Sequence, residues 1–234
     1  MTLCVIPARG GSKRIPRKNI RTFLGKPMIA WSISAAIEAQ CFDRIVVSTD
    51  DAEIAELAAQ MGVEVPFLRC AELSDDKTPT ARVIADAATR LAIPPATPVC
   101  CLYATAPFVQ GSDLAEGLAT LEREEARFVV AVTTFPFPIQ RALRRSPQGA
   151  IEMIKQEHML TRSQDLEETW HDAGQFYWAK AGDWANSGAG VLAQGAYGTV
   201  IERHRVQDID TEEDWVRAEL LMSVLNASMG RKGA

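Results

Sequence analysis

The chain is organised around Leu3-Cys4-Val5-Ile6-Pro7-Ala8-Arg9-Gly10-Gly11-Ser12-Lys13-Arg14-Ile15-Pro16-Arg17-Lys18-Asn19, an apolar run followed by a basic turn. Residues 3–6 have the continuous apolar character of a buried strand. The adjacent Gly10 and Gly11 let the backbone approach a ligand closely or adopt a positive φ. Since backbone N–H groups in a glycine turn point at an anion and nearby cations neutralise it, the pattern favours a phosphate site. Five cations share the segment: Arg9, Lys13, Arg14, Arg17 and Lys18.

The number of charges indicates the kind of phosphate that this basic loop would hold. A single phosphate rarely requires five cations, whereas a triphosphate can use most of them. The spacing is neither that of the P-loop, with Gly-Lys-Ser/Thr after a four-residue gap, nor Gly-x-Gly-x-x-Gly. The alternative is a solvated basic loop after an edge strand. A glycine turn directly after a strand is, however, typical of ligand sites in α/β sheets.

The composition is that of a globular protein whose basic character is local. The chain has 234 residues, of which 47% are apolar, and this fits a single α/β domain, 1–234, with a small insert. The formal net charge of −5 predicts no nucleic-acid partner and no affinity for anionic membranes. We expect neither a signal peptide nor a membrane span. The five cysteines lack metal-ligand spacing, so we expect free thiols and a cytoplasmic location.

Apolar strands and amphipathic helices alternate along the first part of the chain. This alternation predicts an α/β fold with a doubly wound, mostly parallel sheet. Ligands bind such sheets at the carboxyl ends of the strands, so the basic loop, residues 48–50 and Arg69 should share one rim. Strands are predicted at 44–49, 63–68, 99–102 and 128–133, and helices at 52–61 and 81–91 with Asp51 and Thr80 as N-caps.

Regular patterning stops after residue 134. Phe135-Pro136-Phe137-Pro138 breaks regular structure, and residues 138–170 contain no long apolar run. They include a basic cluster and a turn sequence, Ser146-Pro147-Gln148-Gly149, flanked by isolated apolar residues. We interpret residues 138–170 as an arm that leaves the core and packs on a second copy of the chain. A free surface hairpin is the main alternative.

Two aspartates near the C-terminus indicate a metal site. Asp208 and Asp210 are two residues apart, so in an extended segment their side chains point to the same side. Paired carboxylates suit a hard divalent cation such as Mg²⁺. The alternative is that Asp210 or Thr211 caps the helix that begins at Glu212, which can explain one aspartate but does not require both.

The basic loop also resembles that of a known family, the CMP-sugar synthetases. Their nucleotide-binding loop reads Ala-Arg-x-x-Ser-Lys-x-x-Pro-x-Lys-Asn, and residues 8–19 match it at each fixed position. These enzymes couple CTP to acidic sugars and share a Rossmann-like nucleotidyltransferase fold with a small dimerisation insert. The resemblance implies that the nucleotide is bound by Ala8, Arg9, Gly11, Ser12, Lys13, Lys18 and Asn19.

Two further motifs extend the resemblance to the cytidine and the metal. The family pattern Arg-Pro-x-Glu-Leu-x-x-Asp corresponds to residues 69–76, with Cys70 in place of the proline. It implies that Arg69 and the later hydroxyl of Thr80 bind the nucleotide. The family pattern Asp-Ile-Asp-Thr corresponds to residues 208–211 and implies that both aspartates hold Mg²⁺. The residues expected to promote the reaction are Arg9, Lys13, Lys18, Asp208 and Asp210.

The sugar side resembles one branch of that family. Sialic-acid enzymes carry Leu-Gln-Pro-Thr-Ser-Pro-Leu-Arg at a strand end and Arg-Pro-Asn-Gly-Ala further along. Here residues 103–108 and 171–178, in which Phe176 is expected to begin a strand, resemble the pseudaminic-acid branch. A packed aromatic at position 103 and a hydrogen-bonded loop histidine at position 171 are the structural alternatives. The candidate sugar contacts are Tyr103, Thr105, Arg162, His171, Asp172 and Gln175.

These implications predict a homodimeric cytidylyltransferase. The anomeric hydroxyl of pseudaminic acid, a nonulosonic acid, would attack the α-phosphorus of CTP and expel pyrophosphate. No side chain stands out as a general base, and a Ser-His-Asp triad is rejected because no nucleophile elbow accompanies His171. The alternatives are N-acylneuraminate or legionaminate as the sugar, a sugar 1-phosphate as the acceptor, and a non-catalytic nucleotide-binding protein.

Overall fold

The computed structural model describes residues 1–188 and 190–232, with the backbone alone for residues 228–232. The strands are β1 Leu3–Pro7, β2 Thr22–Phe23, β3 Lys26–Pro27, β4 Arg44–Ser48, β5 Pro98–Leu102, β6 Phe128–Thr134, β7 Leu143–Arg145, β8 Ile151–Met153, β9 Trp170–Lys180 and β10 Ala196–Val200. The α-helices are α1 Met28–Glu38, α2 Ala52–Gln60, α3 Thr80–Arg90, α4 Gly111–Arg123, α5 Ala181–Ala185 and α6 Glu212–Lys232.

Six strands form one mixed sheet in the order β10-β6-β9-β5-β1-β4. β1 is parallel to β4 and β5, and β10 is parallel to β6, whereas β9 runs antiparallel between β5 and β6. Successive side chains of β1 point to opposite faces of the sheet. Cys4 and Ile6 pack with α1, α2 and α4, whereas Leu3 and Val5 pack with α3 and α5. The predicted α/β class with a doubly wound, mostly parallel sheet is therefore confirmed.

A third apolar cluster attaches the start of α6 to the segment that follows the basic loop. Trp215 packs edge-on against Phe23, with ring centroids 5.5 Å apart, and Ile209 is fully buried in the same cluster. Ile209 lies between the two aspartates predicted to hold a metal, and its burial fixes the backbone of that segment beside the basic loop.

The strand predicted at 63–68 does not form continuously. Glu64 and Leu68 make only isolated parallel bridges to the strand beside them. Pro66 lies between the two bridges and has no N–H to donate, which explains the interruption. The sheet therefore ends at β4.

The two predicted helix caps have different outcomes. Asp51 caps α2, since its carboxylate accepts from the N–H groups of Glu53 and Ile54. Thr80 is not a cap, because α3 begins at Thr80 itself, with Pro79 in the capping position and no side-chain cap bond.

β9 begins six residues earlier than predicted. The expected start was Phe176, but the strand already begins at Trp170, so His171 and Asp172 lie in a strand rather than in a loop. The pairing with β6 is interrupted by a bulge, because residues 172 and 177 of β9 lie opposite residues 132 and 130 of β6. Gly174 lies inside the bulge with φ +64°.

The arm, residues 138–170, leaves the sheet between β6 and β9. It contains the β7–β8 hairpin and short 3₁₀ turns. The predicted turn is present, with the Gly149 N–H donating to the Ser146 carbonyl at 3.0 Å and φ +96° at Gly149. Large apolar side chains in or beside the arm are more than half exposed: Phe137, Leu143, Ile151, Ile154, Met159 and Leu160.

Two expectations from composition can be compared with the structure. In the described part of the chain, no helix is both long enough and apolar enough to cross a membrane. The cysteines are free thiols, and Cys4, Cys100 and Cys101 are buried in the sheet. Burial raises the pKa of the Cys100 and Cys101 thiols well above the usual range, so both stay protonated.

Candidate active site

A cavity of about 590 Å³ opens at the carboxyl ends of the central strands. The basic loop forms one wall, the segment leading into α3 forms a second, and residues 103–105 after β5 form a third. This is the rim expected to carry the ligand. Ten of the predicted site residues line the cavity: Arg9, Ser12, Lys13, Lys18, Asn19, Arg69, Thr80, Tyr103, Thr105 and Asp210.

Close packing against the end of β4 fixes the glycine turn. The Gly10 N–H donates to the Asp50 carboxylate at 3.0 Å, and a Cβ on Gly10 would clash with the side chain of Asp51. A Cβ on Gly11 would meet nothing within 4 Å. Neither glycine has a positive φ. Of the two properties expected from the glycine pair, the fold therefore uses close approach, and only at Gly10.

Asn19 and Ala8 hold the two ends of the basic loop. The Asn19 side chain donates to the Arg9 carbonyl at 2.9 Å. The backbone carbonyl of Asn19 accepts from the N–H of Ile29 at 2.8 Å. Ala8 is fully buried and donates its N–H to the Ser48 carbonyl at 2.9 Å. Both residues therefore hold the loop through hydrogen bonds to the protein, and Asn19 also lines the cavity.

Asp76 brings the segment before α3 onto the basic loop. Its carboxylate pairs with the Arg9 guanidinium at 2.5 Å and also with the Lys13 ammonium. Hydrogen bonds from Lys13 and Arg9 hold the pKa of Asp76 below its usual value. Asp75 shapes the same segment from within, accepting from the Thr78 N–H at 2.6 Å and from its hydroxyl at 2.7 Å. A phosphate chain in the cavity would meet two cations that already have a carboxylate partner.

Arg69 is a buried cation in the cavity wall. Its guanidinium donates to the Ser48 carbonyl at 3.1 Å and to the Ser74 hydroxyl at 3.1 Å, and lies 3.8 Å from the Asp50 carboxylate. Burial lowers the pKa of Arg69 from its ordinary value, but a guanidinium remains charged at neutral pH. Arg69 therefore presents a fixed positive charge to the cavity.

The Asp208-Ile209-Asp210 segment lies against the basic loop. The Ile209 carbonyl accepts from the Lys18 ammonium at 2.6 Å. Asp210 pairs with Lys18 at 3.4 Å and with Arg14 at 2.8 Å. Partial desolvation of Asp208, a residue that remains exposed, and the nearby charge of Asp210 raise the pKa of Asp208. The two carboxylates lie near each other, but Asp210 lines the cavity whereas Asp208 does not.

These carboxylates fit a Mg²⁺ ion that takes its other ligands from substrate and water. A carboxylate whose pKa is raised by a second carboxylate gains from a shared cation. Mg²⁺ usually binds one or two protein carboxylates together with waters and phosphates. Residues 1–188 and 190–232 contain no group of three or more histidine, cysteine, aspartate or glutamate side chains that could hold a metal. Thr211 caps α6, since its hydroxyl accepts from the Asp214 N–H at 3.2 Å while the Asp214 carboxylate accepts from the Thr211 N–H at 2.9 Å.

The candidate sugar contacts are spread over several elements. Tyr103 and Thr105 line the cavity, and the Tyr103 hydroxyl lies 3.4 Å from that of Thr80. Arg162 lies in the exposed arm, 3.6 Å from Asp165. A single chain therefore brings the two residues after β5 to the cavity but leaves Arg162 outside it.

The candidates in β9 make contacts within the protein. The His171 ring packs on Phe135, with centroids 4.7 Å apart. The Asp172 carboxylate accepts from the Tyr177 hydroxyl at 2.7 Å. Gln175 is buried, and its side chain donates to the Arg205 carbonyl at 2.6 Å. These three candidates do not line the main cavity.

A second cavity of about 540 Å³ adjoins the first. Thr80 and Tyr103 line both cavities, so the Tyr103 side chain lies between them. Tyr177, which lines the second cavity, and Asp76, which lines the first, are not among the site residues predicted from the sequence. Asp76 was visible as the last position of the family pattern over residues 69–76, whereas no local signal identified Tyr177. The apolar wall of the second cavity includes Pro79, Ala81, Trp184 and Val191.

Comparisons with known proteins agree with this architecture. A family model described as "Cytidylyltransferase" matches residues 3–186. The solved structure of CMP:2-keto-3-deoxy-manno-octonic acid synthetase complexed with CTP superposes with a TM-score of 0.70, covering 95% of this chain and 99% of that one. Its sequence identity is 14%, so this likeness concerns the fold alone.

Two sequence relatives cover different shares of the chain. The pseudaminic acid cytidylyltransferase of Campylobacter jejuni subsp. jejuni serotype O:23/36 (strain 81-176) is 41% identical over 228 residues, which is 97% of this chain and 98% of the relative. The CMP-N,N'-diacetyllegionaminic acid synthase of Legionella pneumophila subsp. pneumophila is 49% identical over 84 residues, which is 36% of each chain. By the family match and the full-length relative, the chain belongs to the cytidylyltransferase family.

Proposed function

We propose that the protein joins CTP to pseudaminic acid and releases CMP-pseudaminic acid and pyrophosphate. The reaction type is supported by one observation, the cavity in which the basic loop, Arg69 and Asp210 converge. The choice of sugar is supported by the full-length similarity to the C. jejuni pseudaminic acid cytidylyltransferase. By contrast, the similarity to the L. pneumophila legionaminic acid synthase spans 36% of the chain.

The basic loop would bind the triphosphate. Nucleotidyl transfer depends on positioning and on stabilisation of developing charge. As pyrophosphate leaves, its oxygens gain negative charge, and Arg9 and Lys13 are placed at the cavity wall to stabilise it. Lys18 is fixed by the Ile209 carbonyl and would hold a phosphate oxygen in a defined position. Ser12 and the N–H groups of the turn would supply neutral donors.

The remaining walls would bind the cytidine and the sugar. Arg69 and Thr80 would contact the cytidine end, since both line the cavity from the segment that leads into α3 rather than from the basic loop. The anomeric hydroxyl would approach from the side of Tyr103 and Thr105. Asp208 and Asp210 would hold Mg²⁺, which when bound neutralises phosphate charge and lowers the pKa of a coordinated hydroxyl. That assistance would remove the need for a protein general base.

We also propose a homodimer that forms through the arm. The exposed apolar side chains of the arm form the kind of surface that monomeric proteins seldom leave open. Arg162 of one subunit would then approach the sugar side of the other. The free cysteines support a reducing compartment, and we propose the cytoplasm.

Pyrophosphate release from purified protein, CTP and Mg²⁺ tests the proposal. We expect the highest kcat/KM with pseudaminic acid, and rates at least roughly tenfold lower with N-acetylneuraminic and diacetyllegionaminic acids. Release with neuraminic acid alone would contradict the choice of sugar. Efficient use of a sugar 1-phosphate would contradict attack by the anomeric hydroxyl. CTP binding without pyrophosphate release would favour a non-catalytic nucleotide-binding protein.

A further inference from the structure

Asp172 and Tyr177 form a hydrogen bond that regular strand geometry would not allow. Residues five apart on a regular strand point to opposite faces of the sheet. In β9, however, residues 172 and 177 lie opposite residues only two apart on β6, because the bulge holds extra residues between them. As a result the Tyr177 hydroxyl donates to the Asp172 carboxylate at 2.7 Å.

The same carboxylate holds the bulge in shape. Its other oxygen accepts from the Gly174 N–H at 2.8 Å, and Gly174 has φ +64°. The next residue in the bulge, Gln175, accepts at its carbonyl from the Tyr103 N–H at 2.9 Å. Asp172 therefore fixes Tyr177 directly and Tyr103 through the backbone of the bulge.

The two tyrosines fixed in this way form a pair beside the main cavity. Their ring centroids are 5.5 Å apart. Tyr177 is only 6% exposed, whereas Tyr103 lies between the two cavities. Burial raises the pKa of both phenols, so each keeps its proton at neutral pH and can donate a hydrogen bond.

We infer that Asp172 is a positioning residue for the acidic sugar and acts through the Tyr177–Tyr103 pair. This inference rests on the proposed function and replaces the direct sugar contact that the sequence predicts for Asp172. The pair presents the Tyr103 hydroxyl and the ring carbons of both tyrosines where the two cavities meet. A sugar that carries both hydroxyl and acyl groups matches a wall of this chemistry.

The test compares Asp172→Asn, Tyr177→Phe and the double variant by steady-state kinetics. An asparagine keeps an acceptor for the Gly174 N–H but removes the charged acceptor of the Tyr177 hydroxyl. We expect each single variant to raise KM for pseudaminic acid roughly tenfold while kcat and KM for CTP change less than about twofold. The double variant should be no worse than either single one, because all three break the same bond. Tyr197→Phe, at a tyrosine that is 44% exposed, is the control and should leave all values unchanged.

A second readout does not depend on activity. Asp172→Asn and Tyr177→Phe should each lower the free energy of unfolding measured with denaturant, because each breaks the hydrogen bond from the Tyr177 hydroxyl to the Asp172 carboxylate. The two losses should not add in the double variant, because both substitutions remove the same bond.

The possible outcomes separate this inference from the proposed function. Additive losses of unfolding free energy overturn the coupling of Asp172 to Tyr177. An unchanged KM for the sugar in an active enzyme overturns the positioning role, and additive kinetic losses in the double variant overturn it in favour of direct sugar contact. Absence of activity in the unmodified protein with all acidic sugars overturns the proposed function and with it the sugar role, while the unfolding measurement still decides the coupling.

Discussion

The basic loop and the arm differ in whether their exposed side chains have partners within the same chain. Cations of the loop have carboxylate partners in the same chain, since Asp76 pairs with Arg9 and Lys13, and Asp210 pairs with Lys18. The apolar side chains of the arm remain more than half exposed. Exposed ion pairs rearrange at small cost, whereas covering apolar surface stabilises by roughly 25 cal/mol per Å². We infer that the nucleotide half of the site is assembled within one chain, and that the sugar half depends on what covers the arm.

The two regions also differ in how they are attached to the sheet. The loop is fixed at Gly10 by Asp50 and at Asn19 by its bond to the Arg9 carbonyl. The start and end of the arm are joined to each other, with the Gln140 side chain donating to the Glu167 carbonyl at 2.9 Å. A rigid loop suits the placement of a triphosphate, and a projecting arm suits contact with a second molecule.

The largest expected effect lies in the nucleotide half. We expect Asp208→Asn and Asp210→Asn each to lower kcat/KM for pyrophosphate release about 10²–10³-fold, because each removes a charged ligand from the proposed Mg²⁺ site. The loss should not depend on protein concentration, since both aspartates act within one chain. The measurement is pyrophosphate release at saturating Mg²⁺.

Glu213→Gln is the matched control for these variants. It removes an exposed carboxylate at the start of the same helix, 3.4 Å from Arg217, and kcat/KM should change less than about threefold. Retention of more than about a tenth of the activity by Asp210→Asn would contradict the metal assignment.

The next largest effect tests the sugar half. Leu160 is 94% exposed in the arm, and Leu160→Asp places a charge on the proposed dimer surface. We expect sedimentation to show dissociation to monomers and KM for the sugar to rise about tenfold, with KM for CTP almost unchanged.

Leu220→Asp on α6 is the control for the arm variant, since Leu220 is 65% exposed and lies outside the arm. It should leave both the oligomeric state and the kinetics unchanged. If Leu160→Asp also leaves the oligomeric state and the kinetics unchanged, the arm is a free surface hairpin. The sugar half of the site would then be assembled within one chain, as the nucleotide half is.

The same contrast explains what could be predicted from the sequence. The loop is contiguous, so the spacing of residues 8–19 after an apolar strand specifies which side chains face the ligand. Most of the residues predicted there do line the cavity. The pairing of Asp76 with Lys13 could not be predicted, because it depends on how the segment before α3 crosses the rim.

The β9 region could not be predicted for a different physical reason. Its bulge is set by pairing with β6 and by the hydrogen bond that the Gly174 N–H donates to the Asp172 carboxylate, neither of which leaves a periodic pattern in the sequence. The expected strand therefore began at Phe176, and the partner of Tyr177 was missed. Where geometry depends on pairing between distant strands, the sequence supplied only candidate residues.

A smaller effect tests the pairing of the loop cations. Asp76→Asn removes the charge that competes with phosphate for Arg9 and Lys13, so we expect KM for CTP to fall by about twofold to threefold. Asp75→Asn should instead raise KM for CTP, because Asp75 holds the shape of the segment through Thr78. A rise in KM for Asp76→Asn would mean that the carboxylate positions the cations rather than competing for them.

The smallest expected effect is on the stability of the fold. It distinguishes the destabilisation that Asp208 causes in metal-free protein from the role of Asp208 in binding Mg²⁺. The pKa of Asp208 is raised in the folded protein, so the folded state binds a proton more tightly than the unfolded state does. Stability should therefore fall as pH rises from the ordinary aspartate value of about 3.9 through the raised pKa, and the penalty persists at neutral pH. We expect Asp208→Asn to raise Tm in metal-free buffer by at most about 1 °C near pH 7, because solvent screens this exposed carboxylate, with no gain below about pH 3.5.

Asp51→Asn should change Tm near neutral pH in the opposite direction. Its hydrogen bond with Arg17 lowers the pKa of Asp51, so this carboxylate stabilises the fold above its unfolded pKa, and the stabilisation is lost as pH falls through the folded pKa. Its substitution should therefore lower Tm near neutral pH. If Asp208→Asn also lowers Tm there, the carboxylate contributes to the fold without a metal. The basic loop and the two aspartates would then be stabilised by ion pairs alone. The nucleotide half of the site would have no unpaired carboxylate left to bind Mg²⁺.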